Sequence, residues 1–178
     1  MLVQQRHGIN DPLNLFVNDN LIGKNDLIGI EIGSYRGEST EIFLKSNAFK
    51  ILYCIDPWEP GYDLKDSAAS IEILDAEKEF DEKFKNNSII KKIKQKSNDA
   101  MNLFEDNSID FIYIDGCHQY EFVKNDLINY YQKIKQGGII SGHDYCLGWI
   151  GVKKAVDDFF KKPPVKIYPD NSWIYIKE

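Results

Sequence analysis

The segment from Leu27 to Thr40, LIGIEIGSYRGEST, is the feature that most constrains the fold of this chain. An apolar, isoleucine-rich run contains one acid, Glu31, and is followed by a turn with two glycines, Gly33 and Gly37. Gly33 lets the backbone turn sharply, and Gly37 is expected to let the next helix approach a ligand closely. In open α/β sheets, a strand, a glycine turn and a helix start form a pocket at the carboxyl end of the strand. The segment therefore predicts an α/β fold with a nucleotide-type pocket.

The spacing of the two glycines excludes two common kinds of nucleotide-binding turn. The pattern is Glu-x-Gly-x-x-x-Gly, whereas dinucleotide-binding enzymes carry Gly-x-Gly-x-x-Gly after their first strand. A phosphate-binding P-loop needs Gly-Lys followed by serine or threonine, and no such sequence follows Gly37. Similar corners also occur in α/β proteins without a nucleotide, so other residues must identify the ligand.

Length and charge are those of a single globular domain that does not bind nucleic acid. A chain of 178 residues can bury a sizeable core, and no repeat or low-complexity linker divides it, so one domain is expected over 1–178. The net charge of −6 argues against a nucleic-acid partner. The lysine-rich stretch 91–96 is expected to be the solvated face of a strand.

Cysteine usage and hydropathy indicate the compartment. Three cysteines without a Cys-x-x-Cys pair argue against a disulfide framework and for a reducing environment. Residues 1–20 lack the charged and then apolar pattern of a signal peptide, and no apolar run is long enough to span a membrane. The sequence therefore predicts a cytoplasmic protein that does not associate with membranes.

Short apolar runs alternate with amphipathic stretches along the chain. Strands are predicted at 27–32, 51–55, 89–93, 109–114, 138–141, 165–168 and 173–176. Helices are predicted at 38–45, 70–85, 99–104, 120–134 and 151–160. Alternating strands and helices indicate a doubly wound, mostly parallel α/β sheet. Only Pro-Asp-Asn-Ser separates the last two strands, which predicts a C-terminal antiparallel hairpin.

Two segments lie outside this alternation. Residues 1–20 are expected to form a small helical cap, and its apolar residues are available for a contact between two copies of the chain. Residues 58–70 form a long loop beside the predicted pocket. Two interpretations of this loop stay open: a lid over bound substrate, or a solvated surface connection.

The ends of the second and third strands carry candidate cofactor-binding residues. Asp56 lies about twenty residues past Gly33, where a carboxylate can accept two hydrogen bonds from a ribose diol. Asp56 could instead cap a turn before Pro57. Ser97 and Asn98 follow the third strand, and Ser97 is also suited to cap the helix after it.

Acids and histidines follow two further strands that should be neighbours in the sheet. Asp115 and His118 follow the fourth strand, and His143 and Asp144 follow the fifth. Buried carboxylates are costly unless they are paired or bind a metal. Each residue alone could be a helix cap or a packing residue, but together they lie where α/β proteins bind ligands. Oxygen ligands with imidazole suit Mg²⁺ or Mn²⁺, so a divalent-cation site is predicted here.

These motifs resemble those of a known enzyme family. The form Glu-Ile-Gly-x-x-x-Gly-x-Ser/Thr at 31–39 is similar to the first motif of class I S-adenosylmethionine (SAM) methyltransferases, and closest to metal-dependent O-methyltransferases. Asp-Gly-x-His-x-Tyr at 115–120 and Gly-Gly-x-x-x-x-His-Asp at 137–144 resemble a small branch related to macrolide sugar O-methyltransferases and cephalosporin hydroxylase. The resemblance extends from about Leu27 to the C-terminus. It implies a Rossmann-like, doubly wound, seven-stranded sheet.

The resemblance also implies roles for individual residues. SAM is the implied methyl donor, and Mg²⁺ or Mn²⁺ is the implied metal. Asp115 and Asp144 are implied as metal ligands, and His118 as the general base. His143 stands where relatives often carry a second acid, so it is either the third metal ligand or a residue that orients substrate. The implied cofactor-binding residues are Glu31, Gly33, Ser34, Gly37, Ser39, Asp56, Ser97, Asn98 and Asp115.

The implied reaction is O-methylation of a small hydroxylated acceptor such as a sugar or other polyol. Contact with a divalent cation lowers the pKa of a hydroxyl group. An imidazole with an ordinary pKa of about 6.5 can then take the hydroxyl proton during attack on the methyl group. Catechol-like and small amine acceptors also stay open.

Other function classes fit the motifs less well. A nicotinamide-dependent oxidoreductase would carry the dinucleotide glycine pattern. Phosphohydrolases with a His-Asp pair are all-helical, whereas this pair follows a strand, and no iron-binding triad of a hydroxylase is evident. The alternative that stays open is a non-catalytic α/β module that binds a nucleotide or SAM, or a subunit of a larger complex.

Overall fold

The computed structural model describes residues 12–61, 63, 65, 66 and 69–178. The strands are β1 (Leu27–Ile32), β2 (Phe49–Ile55), β3 (Ile90–Ile93), β4 (Ile109–Ile114), β5 (Ile134–Gly142), β6 (Lys166–Ile167) and β7 (Trp173–Ile176). The helices are α1 (Leu13–Asn20), α2 (Glu38–Leu44), α3 (Ile73–Phe84), α4 (Ser97–Ala100), α5 (Tyr120–Tyr131) and α6 (Ile150–Phe160). Short 3₁₀ turns at Met101–Leu103 and Leu147–Trp149 complete the described elements.

The seven strands form one sheet in the order β3-β2-β1-β4-β5-β7-β6. Strands β1 to β5 pair in parallel, while β7 runs antiparallel to both β5 and β6. This topology confirms the predicted Rossmann-like α/β fold, with its seven strands and its C-terminal hairpin. The strand order reverses between β1 and β4, and a crevice for ligands forms at such a reversal in open α/β sheets.

The two faces of the sheet pack against separate layers of helices. Along β4, Phe111 and Tyr113 join the core formed with α1, α2 and α3, whereas Ile112 and Ile114 join the core formed with α5 and α6. Side chains alternate between the faces of a strand, so a central strand covered on both sides is apolar at most positions. This explains why the central strands are nearly continuous apolar runs.

Most predicted element boundaries hold to within a few residues, but Ile134 was placed in the wrong element. The predicted helix 120–134 ends at Tyr131, and Ile134 instead begins β5, paired with Ile109. Its side chain is fully buried. An apolar residue at helical spacing can equally start the next strand, so periodicity did not separate the two cases.

The predicted N-terminal helical cap is present over the residues that the structure describes. In α1, Phe16 is fully buried, and its ring packs edge-on against Tyr113, with the ring centroids 5.6 Å apart. Asn20 donates a 2.7 Å hydrogen bond to the hydroxyl of Tyr168. Residues 1–11 of the predicted cap lie outside the described residues, as do Tyr62, Leu64, Ser67 and Ala68 of the predicted loop.

The lysine-rich stretch around β3 is paired with acids. The ammonium group of Lys92 lies 2.8 Å from Glu77 and 2.6 Å from Asp81, and that of Lys94 lies 2.7 Å from Glu77. These pairs neutralise much of the positive charge on this strand. Across the described part of the chain, the helices are too short or too polar to cross a membrane.

Gly33 allows a test of the close contact between the ends of β1 and β4. It has a φ of +89°, and a Cβ there would lie 2.0 Å from the carbonyl oxygen of Asp115. Gly23 has a similar φ of +81°, with nothing within 4 Å of its Cβ position. We expect Gly23→Ala to lower the free energy of unfolding by about 1 kcal/mol, and Gly33→Ala by about 3 kcal/mol or more. Urea unfolding of both variants measures the difference, and equal losses would contradict the close contact.

Candidate active site

The carboxyl ends of β1, β4 and β5 form one continuous main-chain surface. The amide of Asp115 donates a 2.8 Å hydrogen bond to the carbonyl of Ile32, and the amide of His143 donates a 3.1 Å bond to that of Ile114. The glycine turn, the segment after β4 and the segment after β5 therefore lie side by side. The structure brings these predicted site residues to one edge of the sheet.

The side chain of Glu31 stabilises the glycine turn through hydrogen bonds. Its carboxylate is fully buried and accepts hydrogen bonds from the hydroxyls of Ser34 at 3.1 Å, Ser39 at 2.5 Å, and Thr40. Burial raises the pKa of Glu31, although the three hydroxyls oppose that shift. Glu31, a predicted cofactor-binding residue, thus contacts hydroxyls of the turn and of α2. These hydrogen bonds fix the shape of the turn.

Gly37 lies against the aromatic side chains of a neighbouring helix. Its φ is +74°, and a Cβ there would lie 2.2 Å from the ring of Phe84 and 3.0 Å from that of Phe80. Both rings belong to α3. This glycine therefore makes room for the aromatic residues of α3, and its closeness to a ligand stays a prediction.

Asp56 joins the glycine turn to the segment after β2. One carboxylate oxygen accepts the amide of Tyr35 at 3.0 Å, and the other accepts that of Trp58 at 2.7 Å. Burial raises the pKa of Asp56 to about 6, against the lowering effect of these two bonds. A carboxylate oxygen has two lone pairs, so each oxygen keeps one acceptor site. The residue is only 2% exposed.

Ser97 does not cap α4 with its side chain. Its hydroxyl instead donates a 2.5 Å hydrogen bond to Asp126 of α5, and its carbonyl accepts the hydroxyl of Tyr130 at 2.8 Å. Asn98 accepts a 3.0 Å bond from the side chain of Asn129. Burial raises the pKa of Asp126 to about 7, with the Ser97 hydroxyl opposing the shift. The corner after β3 is therefore attached to α5 through polar side chains.

Two histidines surround Asp144. The Nε2 atom of His118 lies 3.0 Å from one carboxylate oxygen of Asp144, and the Nδ1 atom of His143 lies 3.2 Å from the other. The same Nδ1 atom lies 3.8 Å from Asp115, and Nε2 of His143 lies 4.0 Å from Asp170. The four residues predicted to converge from two strand ends are therefore in contact.

The charges of this cluster stabilise one another. Burial alone would raise the pKa of Asp144, but hydrogen bonds from His118 and His143 hold that pKa well below its ordinary value. Burial alone would lower the pKa of His143, but the charge of Asp115 and the hydrogen bond to Asp144 raise it to about 9. The pKa of His118 is also raised, since its contact with Asp144 outweighs the effect of burial.

Three residues can offer ligand atoms to a divalent cation from one place. One such atom from each of Asp115, His118 and Asp144 lies within 4.8 Å of the other two. The backbone of Asp144 has a φ of 61°. This conformation is rare for residues other than glycine, and such residues cluster at functional sites. Two carboxylates with imidazole nitrogens match the ligands of Mg²⁺ and Mn²⁺. The donor set thus fits a cation, with His118 as well as His143 beside the acid pair.

His118 has two further neighbours that come from distant parts of the chain. The indole of Trp149 stacks on the imidazole, with ring centroids 4.1 Å apart and planes at 24°. Asp63, from the loop before α3, accepts the backbone amide of His118 at 3.0 Å. Both contacts join distant parts of the chain, and no local pattern signals them. The sequence places Asp63 near the site only in so far as the loop 58–70 is predicted to lie beside the pocket.

A family model described as "Methyltransferase domain" matches residues 30–145. An uncharacterized protein of Acanthamoeba polyphaga mimivirus is 31% identical over 134 residues, which are 71% of this chain and 55% of that protein. The chain thus spans about half the length of this curated relative.

Solved structures share the fold at low sequence identity. A Staphylococcus aureus protein assigned as a caffeoyl-CoA O-methyltransferase has a TM-score of 0.63 at 16% identity, covering 94% of this chain and 82% of its own. The O-methyltransferase NovP has a TM-score of 0.63 at 17% identity, covering 92% and 76%. Spermidine synthase from Thermotoga maritima has a TM-score of 0.55 at 19% identity, covering 85% and 52%. Because a synthase shares this fold, the fold alone does not specify the reaction.

The buried carboxyl of Asp126 predicts a pH-dependent loss of stability. Its pKa is raised from 3.8 to about 7 in the folded chain, so unfolded molecules release its proton at lower pH than folded ones do. Its contribution to stability is therefore present below pH 4 and is lost as the pH rises towards 7. We expect Asp126→Asn to gain stability relative to the parent protein over this window, by a few kcal/mol. Urea unfolding at several pH values tests this, and parallel pH profiles would contradict it.

Proposed function

The chain belongs to the methyltransferase domain family, and from that membership we propose that it transfers a methyl group from SAM to a hydroxyl of a small acceptor, with a divalent cation at the acceptor side. The observation that carries the proposal is the joined edge of the sheet. There the glycine turn after β1 contacts the segment with Asp115, and Asp115 lies beside His118, His143 and Asp144. A cofactor corner and an acid–histidine cluster are thus neighbours.

The cofactor is proposed to lie over the glycine turn and the ends of β2 and β3. SAM supplies an electrophilic methyl group on a sulfonium. Asp56 keeps a free acceptor site on each oxygen for a ribose diol. Ser97 and Asn98 are proposed to flank the base, held in place by α5. Glu31 supports the turn through hydroxyls, and its carboxylate lies too deep for direct contact in the described conformation.

The cation is proposed to bind Asp115 and Asp144, with His143 as the third protein ligand. When bound, such a cation would hold an acceptor oxygen and lower the pKa of its hydroxyl. His143 supports this role because its Nδ1 atom faces both acids, at 3.2 and 3.8 Å. The pKa of His143 is raised to about 9, so a cation that binds its Nδ1 atom would displace the proton of that histidine.

His118 is proposed to be the general base. Its Nε2 atom points at the acid pair, which is where an acceptor oxygen would be held. Trp149 stacks on the ring and limits its rotation. The imidazole can take the hydroxyl proton at Nε2 as the oxygen attacks, which is the usual role of histidine in such transfers. The remaining contribution of the protein is to align the acceptor with the methyl group.

A sugar or other polyol is the proposed acceptor. The flat indole of Trp149 beside the base suits an apolar ring face, and the carboxylates suit adjacent hydroxyls. Leu147 and Ile150 flank this tryptophan and are well exposed, at 82% and 60%, so an acceptor with a larger apolar part could also be accommodated.

Calorimetric titration with S-adenosylhomocysteine tests the cofactor site. We expect binding both with Mg²⁺ and with EDTA, since the cation belongs to the acceptor side. Asp56→Ala should weaken binding at least about tenfold, because it removes two charge-assisted hydrogen bonds. Asp158→Ala on the exposed face of α6 is the control and should bind like the parent. If the parent protein does not bind S-adenosylhomocysteine, the methyl-transfer proposal fails.

Titration with Mn²⁺, followed by electron paramagnetic resonance, tests the cation site. We expect Asp144→Gly and His143→Ala to weaken Mn²⁺ binding at least about tenfold, as removal of metal-site residues typically does. Glycine is chosen at 144 because the backbone there has positive φ. His118→Ala should bind Mn²⁺ about as well as the parent if His118 is the base. If His118→Ala weakens Mn²⁺ binding and His143→Ala does not, His118 is the ligand, and its role as base is contradicted.

A further inference from the structure

Asp126 is a buried acid of α5 that the proposed reaction does not use. It is 4% exposed, and its carboxylate accepts a 2.5 Å hydrogen bond from the hydroxyl of Ser97, the first residue of α4. Burying an acid costs free energy, and at neutral pH this cost lowers the stability of the fold. Natural chains keep such costly groups mainly at functional sites. We therefore looked for a function of the contact between Asp126 and Ser97.

The corner that carries Ser97 lies next to the acid that is proposed to bind ribose. The backbone amide of Asp56 donates a 3.2 Å hydrogen bond to the carbonyl of Ile93, the last residue of β3. Neighbouring strands lie about 4.8 Å apart, so the end of β3 is one strand spacing beyond the ribose acid. The acid–histidine cluster lies in the opposite direction, after β4 and β5. A methyl donor that faces this cluster therefore extends its base towards Ser97.

The contact with Asp126 decides which kind of group the Ser97 hydroxyl can bind. A serine hydroxyl has one proton to donate and two lone pairs that accept. In Ser97 the proton is donated to the carboxylate of Asp126, so any further partner of this oxygen must be a donor. At carbon 6, adenine carries an amino group that donates, whereas a 6-oxopurine carries an oxygen that accepts. The hydroxyl as it is held therefore matches the first kind of base and repels the second.

We propose that Asp126 is a positioning residue that makes the corner after β3 selective for a 6-aminopurine, by fixing the Ser97 hydroxyl as an acceptor for the amino group of the base. The inference rests on the proposed function, which places the base of the cofactor at Ser97. It assigns the choice of base to a residue that does not contact the ligand. A 6-oxopurine would bring its oxygen against the lone pairs of Ser97, and the hydroxyl could turn only by breaking its bond to Asp126.

Calorimetric titration of the parent protein with S-adenosylhomocysteine and with S-inosylhomocysteine is the first part of the test. The two ligands differ only in the purine, where the inosyl compound carries an oxygen at carbon 6 and a proton on the adjacent ring nitrogen. The pKa of Asp126 is raised to about 7, so the carboxylate is ionised at about pH 8, where the titration is done. We expect the adenosyl compound to bind at least about tenfold more tightly. Equal affinities would overturn the inference.

Substitutions at the corner are the second part of the test. Asp126→Asn should bring the two affinities to within about threefold of each other, because an amide can donate to Ser97 as well as accept and the hydroxyl can then turn. The change should come mainly from tighter binding of S-inosylhomocysteine, which general damage to the site would not produce. Asp126→Leu also frees the hydroxyl and should give a similar ratio, so the test does not depend on the folding of one variant.

Tyr130→Phe is the matched control. The hydroxyl of Tyr130 donates a 2.8 Å hydrogen bond to the backbone carbonyl of Ser97, so its removal loosens the same corner and leaves the Ser97 hydroxyl on Asp126. This variant should keep the parental ratio of affinities. The inference is overturned if the Asp126 variants keep that ratio, or if Tyr130→Phe lowers it equally. If the parent binds neither ligand, the proposed function itself fails, whereas binding with an unchanged ratio contradicts only the role of Asp126.

Discussion

The contact between the ends of β1 and β4 is the constraint on which the site depends. At Gly33 the two chains are so close that a side chain would overlap the carbonyl of Asp115. The glycine turn and the segment after β4 cannot be separated without breaking the sheet, because residues next to them form its hydrogen bonds. Two parts of the proposed chemistry are therefore placed relative to each other by main-chain geometry, and their alignment does not depend on flexible side chains.

Four acids at or near this edge of the sheet differ in their partners. Glu31, Asp56 and Asp126 have hydroxyls or backbone amides as hydrogen-bond partners, and burial raises the pKa of each. Asp144 instead lies between two histidines, and its pKa is lowered. Carboxylates of the first kind suit neutral polar groups such as a ribose, whereas the second kind suits a cation. Glu31 lies in β1, Asp56 follows β2, and Asp126 lies on α5 against the corner after β3, whereas Asp144 follows β5.

Much of the fold and part of the site could be predicted from sequence because they follow from local patterns and one topological rule. Apolar runs indicated the strands, a Pro-Asp-Asn-Ser turn indicated the hairpin, and parallel strand ends brought Asp115 and Asp144 together. Ile134 was assigned to the wrong element because its strand partner, Ile109, is distant in sequence. The two rings of α3 that pack at Gly37 are also distant in sequence, so no local pattern indicates them. Asp63 and Trp149 could not be found from pattern, since only tertiary packing brings them to His118.

The loop before α3 positions His118, the proposed base, through Asp63. The backbone of His118 is held by Asp63 and its ring by Trp149 and Asp144, which come from segments before α3, before α6 and after β5. A base must keep its lone pair aimed at one atom, and an exposed histidine on a strand end has several rotamers available. Removing that freedom costs conformational entropy, which the buried carboxylate and the stacked indole offset. The loop before α3 thus holds the backbone of His118, the proposed base, while the sheet holds the acids that its ring faces.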